Sequence, residues 1–329
     1  MRWVIGTDEA GYGPNLGPLA VSATCWKLPE GVEPDGMGEA LAPVVSAKPT
    51  KDTVAIADSK KLHKPGSVKH LERGVLAALE ALGGLETPLD EERLMALLCG
   101  EESLEERREF PCFAPAEPLP QEEELVTCHA FGERLREQSR VSGVTLCGIH
   151  SELVFPRRFN DGVERLDSKG AFLSDTTLQL AFRFWTRILN ELENQPEGAA
   201  PAEVFLLCDK HGGRDRYLPT LWDNFPGLTF CVNCEGREKS EYVHFGERVT
   251  LHVLFRAKGE ASLAVALASM TSKYLRELAM DRWNRWWKQV LPDIAPTAGY
   301  PVDALRFRAE IEAEVAKRGI DWRSIWRNR

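Results

Sequence analysis

The stretch WVIGTDEAGYGPNLGPLAVSATCW, from Trp3 to Trp26, constrains the fold more than any other part of the chain. It reads as two apolar strands, 2–8 and 18–27, joined by a turn punctuated with glycine and proline. The join is too short for a crossover, so the two strands must pair antiparallel. Asp8 and Glu9 stand where the first strand meets the glycines. Consecutive strand residues project to opposite faces, so both carboxylates can aim one way only if the turn ends the strand between them.

Downstream, the pattern alternates between helix and strand. Val68, Leu71, Val75, Leu79 and Leu82 fall at helical spacing, and Gly83-Gly84 ends that run. A third strand is expected over 143–155. Asp175 is expected to cap a helix carrying Leu178, Phe182, Trp185, Leu189 and Leu192 on one stripe. VFLLC, 204–208, is a short buried strand followed at once by Asp209. Residues 228–234 and 247–257 read as two arms of a hairpin. A long helix starts near Ala261 with small residues that suit close packing on a sheet, and ends in DRWNRWWK, 281–288. The class is therefore α/β.

The net charge of −9 is unevenly spread. Residues 86–124 hold thirteen Asp or Glu against three Arg, so the rest of the chain is close to neutral. From Leu254 to Arg329 there are fourteen Lys or Arg against nine acids. An acidic chain can thus carry a basic face, and a polyanionic partner is not excluded. The proline-rich acidic stretch reads as an insertion or small lid, solvated rather than core. No uncharged run approaches the ~18 residues of a membrane span. The N-terminus does not read as a signal peptide, and eight cysteines without framework spacing read as reduced thiols of a cytoplasmic protein.

Several chemical readings compete. Carboxylates at strand ends, such as Asp8 and Asp209, are what two hard divalent cations roughly 3.5–4 Å apart require. Gly11, Gly13 and Gly17 mimic a dinucleotide fingerprint, but the spacing is wrong, Pro14 and Pro18 interrupt it, and a strand follows where a helix should. Ser59, Lys60 and Lys61, just before a helix, make a candidate phosphate grip. Cys231-Val232-Asn233-Cys234 is a zinc-like fragment that more commonly marks ordinary strand alternation. Trp283, Trp286 and Trp287 either stack on a nucleic-acid strand or pack inward. His211 is read as an ordinary loop histidine.

Taken in order, Asp8-Glu9-Ala10-Gly11-Tyr12-Gly13-Pro14, Gly17-Pro18, Asp58-Ser59-Lys60-Lys61-Leu62, Asp209, Lys258-Gly259-Glu260, Ala268-Ser269 with Lys273, and Gly299-Tyr300-Pro301 resemble ribonuclease HII. The resemblance covers most of the chain apart from about 86–140 and 235–247. It implies a ribonuclease H-like fold: a central mixed five-stranded sheet flanked by helices, with a helical C-terminal region and an acidic insertion. The implied division is a discontinuous core of 1–85 and 141–290, an insertion of 86–140 and a C-terminal region of 291–329.

The resemblance also implies an activity, metal-dependent hydrolysis of the RNA strand of RNA/DNA hybrids by two Mg²⁺ or Mn²⁺ ions. Asp8, Glu9, Asp209 and Glu260 would be both catalytic residues and metal ligands. Gly11, Tyr12 and Gly13 would sense the ribose 2′-hydroxyl, Tyr300 would stack on a sugar, and Ser59, Lys60, Lys61 and Lys273 would hold phosphates. The implied partner is an RNA/DNA hybrid or DNA containing ribonucleotides, bound by a monomer. Three positions depart from the family: Tyr12 replaces Arg or Lys, Glu260 replaces Asp, and Lys210 replaces Gly. They motivate an alternative, a non-catalytic or re-specialised nucleic-acid-binding relative. A third reading is a different nuclease on the same scaffold.

Overall fold

The computed structural model describes residues 1–113, 116–193, 201–257 and 262–328. The chain opens with β1 (Arg2–Ala10) and β2 (Leu19–Leu28), then α1 (Met37–Ala40), a minor pair of strands β3 (Val45–Ser46) and β4 (Val54–Ala55), α2 (Ser59–Leu62) and α3 (Lys69–Ala81). Helices α4 (Glu91–Leu98), α5 (Glu101–Glu109) and α6 (Leu125–Ser142) precede β5 (Thr145–Val154), α7 (Pro156–Leu166) and α8 (Lys169–Glu193). Next come β6 (Ala202–Asp209), α9 (Leu218–Asn224), β7 (Cys231–Glu235), β8 (Lys239–Phe245) and β9 (Val249–Arg256). The chain finishes with α10 (Leu263–Val290), α11 (Pro301–Arg318) and α12 (Trp322–Ile325).

The main sheet is mixed, in the order β5-β2-β1-β6-β9-β8-β7. β1 pairs antiparallel with β2, as the short join requires, and parallel with β6. The sheet has seven strands where five were expected. The polar loop foreseen between two hairpin arms is itself a strand, β8, whose alternate residues Ser240 and Tyr242 turn inward. α8 begins at Lys169, earlier than expected. Asp175 therefore lies within it, where it bonds Asn224 Nδ2 at 3.0 Å and faces Arg165 at 3.3 Å.

Helices cover both faces of the sheet. One core joins Trp3, Ile5, Val204 and Leu206 to the α8 stripe of Leu178, Ala181, Trp185 and Ile188. The other joins Val4 and Trp26 to α10 and to α3–α6. The small residues that open α10 allow unusually close packing. A Cβ on Gly6 would stand 2.3 Å from the Ala264 carbonyl carbon, so the helix backbone lies directly on β1. Thr24 Oγ1 donates to the Ala264 carbonyl oxygen at 2.8 Å across the same contact.

The acidic segment is packed rather than solvated. Leu94, Leu98, Phe113, Leu119, Cys128 and Leu135 belong to the α10 core. Two basic residues of α10 answer its charges: Glu91 accepts from Arg282 at 3.0 Å, as well as from Arg107 of α5 at 3.1 Å, and Glu117 accepts from Arg285 at 2.8 Å. The buried Glu72 carboxylate accepts the backbone N–H groups of Gln121, Glu122 and Glu123 at 2.7–3.0 Å and the Tyr274 hydroxyl at 2.8 Å. The unevenness of charge along the sequence thus closes into ion pairs in space.

Gly6→Ala is expected to cost about 3 kcal/mol or more, since rigid helix backbone, not a side-chain tip, must move. Urea denaturation of the variant, showing a fall in midpoint at unchanged slope, is the measurement.

Candidate nucleic-acid interface

β1 remains paired with β2 as far as Ala10, with Asp8 opposite Ser22 and Glu9 opposite Val21. The anticipated break between the two acids is absent, so their side chains leave opposite faces of the sheet. Asp209 ends β6. The Glu9 carboxyl is buried and Oε2 has no hydrogen-bond partner. Burial first, then the charges of Asp8 and Asp209, push its pKa well above the ordinary carboxylate value, while Lys60 opposes the shift. Glu9 therefore feels the charge of both other acids. Ligation is more demanding: oxygens must converge to about 2.1 Å from one ion.

Among the described residues, no group of three or more His, Cys, Asp or Glu side chains could hold a metal ion. Glu260 lies outside the described residues. This overturns the expected pair of Mg²⁺ or Mn²⁺ ions and, with it, the two-metal ribonuclease H activity: the hydrolase, nuclease and metal-binding readings do not stand. The C-x-x-C fragment forms no zinc cluster either. Cys231 is exposed on the edge strand β7, and His252 is stacked on Phe205 with ring centroids 4.8 Å apart.

The residues expected to contact nucleic acid do gather. A groove of about 730 Å³ lies between the turn after β1, α2, the adjoining part of α10 and the loop before α11. Gly11, Tyr12, Gly13, Ser59, Lys60, Lys273 and Tyr300 all line it, and Lys61, though exposed, does not. Gly11 has a φ of +87° and Gly13 lies under the Tyr300 ring. Tyr300 is 57% exposed. The Tyr12 ring is packed against Gly170 and Gly212 with Lys169 Nζ 5.0 Å from its centroid; burial, then Glu9, raises its pKa.

Ser59 is buried and accepts from Ser269 Oγ at 2.9 Å, while Asp58 caps the Lys60 N–H at 2.9 Å. Lys273 is held by Glu277, one helical turn on, at 2.5 Å. Across the groove, Arg285 is paired with Asp281 and Glu117, each at 2.8 Å. Lys273 and Arg285 are thus already matched by carboxylates. Trp283 and Trp287 turn inward, buried against Phe307, while Trp286 is half-buried against Trp287.

Two arginines that sequence reasoning missed hold this surface in shape. Arg276 is buried and donates to the carbonyls of Pro18, Leu16 (3.3 Å) and Ala298 (3.1 Å), tying the β1–β2 turn to the loop before α11. Arg327 donates to the Gly11 carbonyl at 2.7 Å. Their partners are main-chain oxygens brought together only by folding, so no local pattern marks them. Below the turn, Ser272 Oγ donates to the Asp8 carbonyl at 3.0 Å and meets Ser22 Oγ at 2.8 Å.

Lys210, a departure from the family pattern, also has a structural role. Its buried ammonium donates to the carbonyls of Gly236 (2.6 Å) and Arg214 (3.1 Å) and to Ser240 Oγ (2.9 Å), pinning the loop after β6 to the β7–β8 hairpin. His211 is buried beside Ser174 Oγ at 3.0 Å. Burial, with Arg214 adding to it, lowers its pKa to about 3.

No family model matches the chain, and no curated protein matches it. Solved structures similar to it include ribonuclease H2 from Pyrococcus horikoshii OT3, at 13% identity over 98% of this chain and 92% of that one, with a TM-score of 0.38. Another is the PCNA:RNase HII complex from Archaeoglobus fulgidus, at 17% identity over 99% and 94%, with a TM-score of 0.38. A third is Bst ribonuclease HIII in complex with Mn²⁺, at 16% identity over 99% and 66%, with a TM-score of 0.40.

Two outcomes are expected. Arg276→Leu, which leaves three carbonyls without their donor, should lower stability by about 3 kcal/mol in chemical denaturation. Because His211 is neutral when folded but protonates near pH 6.5 when unfolded, its contribution is present above that pH and is lost as pH falls towards 3. The slope is at most about 1.4 kcal/mol per pH unit. His211→Gln should remove that part of the acid sensitivity in a pH series of melting curves.

Proposed function

We propose that this chain is a re-specialised, non-catalytic nucleic-acid-binding protein on a ribonuclease H-like scaffold. Its ligand is an RNA/DNA hybrid, or a DNA duplex containing ribonucleotides, seated in the groove between the β1–β2 turn and α10–α11. The observation that carries this reading is the assembly of Gly11, Tyr12, Gly13, Ser59, Lys60, Lys273 and Tyr300 along one groove from four separate parts of the sequence. A glycine-lined backbone admits a sugar at close range, where a 2′-hydroxyl can be sensed. The exposed Tyr300 ring supplies a stacking face, and Lys60 and Lys273 supply charge for phosphates.

The carboxylates of Glu277, Asp281 and Glu117 temper that charge, so phosphates must displace existing ion pairs. Binding is then modest in strength and strongly salt-dependent. The eight unpaired cysteines favour a reducing compartment such as the cytoplasm.

The test is titration of a labelled RNA/DNA hybrid in EDTA at several salt concentrations, with an all-DNA duplex as competitor. Saturable binding that weakens with salt is expected, with no cleavage on adding Mg²⁺. Tyr300→Ala should weaken binding about tenfold. Lys60→Ala should lower the salt slope by about one. Hybrid bound equally by the wild type and by a protein carrying both substitutions would rule the groove out.

A further inference from the structure

A pair of cysteines at the opposite edge of the sheet is used by none of the foregoing. β5 is an edge strand, and its pairing with β2 slips by one residue: Cys25 is opposite Gly148, whereas Trp26 is opposite Leu146. Cys147 is the extra residue of this bulge, so it and Gly148 both oppose Cys25. Gly148 brings no side chain to the contact, and a Cβ there would lie 2.9 Å from the Phe184 ring. The side chain that faces Cys25 from β5 is therefore that of Cys147; both lie on the α8 side of the sheet, and the Cys147 thiol donates to the Thr145 carbonyl at 3.6 Å. Cys25 is buried and Cys147 is partly exposed.

We propose that Cys25 and Cys147 form a peroxide-reactive dithiol site that closes an intrachain disulfide between β2 and β5. The chemistry divides according to exposure. Cys147, reachable from solvent, attacks a hydroperoxide as the thiolate: an S–O bond forms, the O–O bond breaks, and the leaving oxygen departs as water (or an alcohol) once protonated. The Cys25 sulfur then attacks the sulfenic sulfur. An S–S bond forms, the S–O bond breaks, and the Cys25 proton leaves with the hydroxide as a second water. Two thiols lose two electrons and the hydroperoxide gains them.

The surroundings assign those roles in the same direction. The neighbouring Cys25 thiol and, against the effect of burial, the positive charge of Arg187 lower the pKa of Cys147, whereas Cys25 is held well above the ordinary thiol value. Arg187 is anchored by donating to the Cys147 carbonyl at 2.9 Å. Elsewhere burial raises the thiols of Cys99, Cys112, Cys128 and Cys208. Cys231 is the exposed comparison: open to solvent but on the distant edge strand β7.

The experiment treats the full chain with graded hydrogen peroxide, blocks remaining thiols with iodoacetamide and maps the peptides by mass spectrometry. The expected product is a cross-linked peptide containing Cys25 and Cys147, lighter by two hydrogens and restored by a dithiol reductant. Cys147 should be lost about tenfold faster than Cys231. In Cys25→Ser, and in Cys25→Ala run beside it in case the buried hydroxyl disturbs folding, oxidation should stop at a sulfenic acid on Cys147 that dimedone traps. Cys147→Ser should leave Cys25 reduced. Oxidation of Cys231 ahead of Cys147, or a treated wild type in which both thiols remain alkylatable, would overturn the proposal.

Discussion

The close seating of α10 on β1 is the constraint from which the rest of the arrangement follows. Gly6 removes the one side chain that would hold them apart, and the alanines at the start of the helix bring its backbone onto the strand. Once that contact is set, the straight run of the helix places each later residue at a determined height above the sheet. Ser272 comes over the Asp8 carbonyl, Lys273 and Glu277 over the groove, and Arg276 over the β1–β2 turn. The turn keeps its shape because a buried guanidinium occupies its carbonyls, and the loop carrying Tyr300 is tied to the same guanidinium.

Charge is organised around the same helix. One face of α10 presents Arg282 and Arg285 to carboxylates from the acidic segment, while another presents Lys273 beside its own Glu277. The segment from Glu117 to Glu123 therefore shapes the wall of the groove, with Gln121 and Glu122 forming part of its lining. Part of the negative charge of the acidic segment is thereby committed to internal pairs, those of Glu91, Glu117 and Glu123 among them.

The sequence was legible where chemistry is local. The antiparallel pairing of β1 with β2 followed from the short join, α3 from its apolar spacing, and the close helix–sheet contact from the small residues after Ala261. Of the residues singled out for contact, Gly11, Tyr12, Gly13, Ser59, Lys60, Lys273 and Tyr300 share one groove, whereas Lys61 lies outside it. Asp175 misled because a cap-forming residue inside a long helix looks the same in sequence as one at its start. The metal site misled for a different reason. Two adjacent acids satisfy a motif by identity, but in a strand that continues through them they diverge, and identity does not report direction.

What the sequence by itself determined is a set of strands and helices with their apolar faces, and the kinds of side chain available near the first turn. These depend on neighbours a few residues apart. What only the tertiary structure decided is which groups meet: Arg276 with three distant carbonyls, Glu72 with the backbone of 121–123, Lys210 with the β7–β8 hairpin, and Cys147 with Cys25 across a register slip. Each such meeting joins residues far apart in the chain, and is set by packing distance and strand register, which no local pattern encodes.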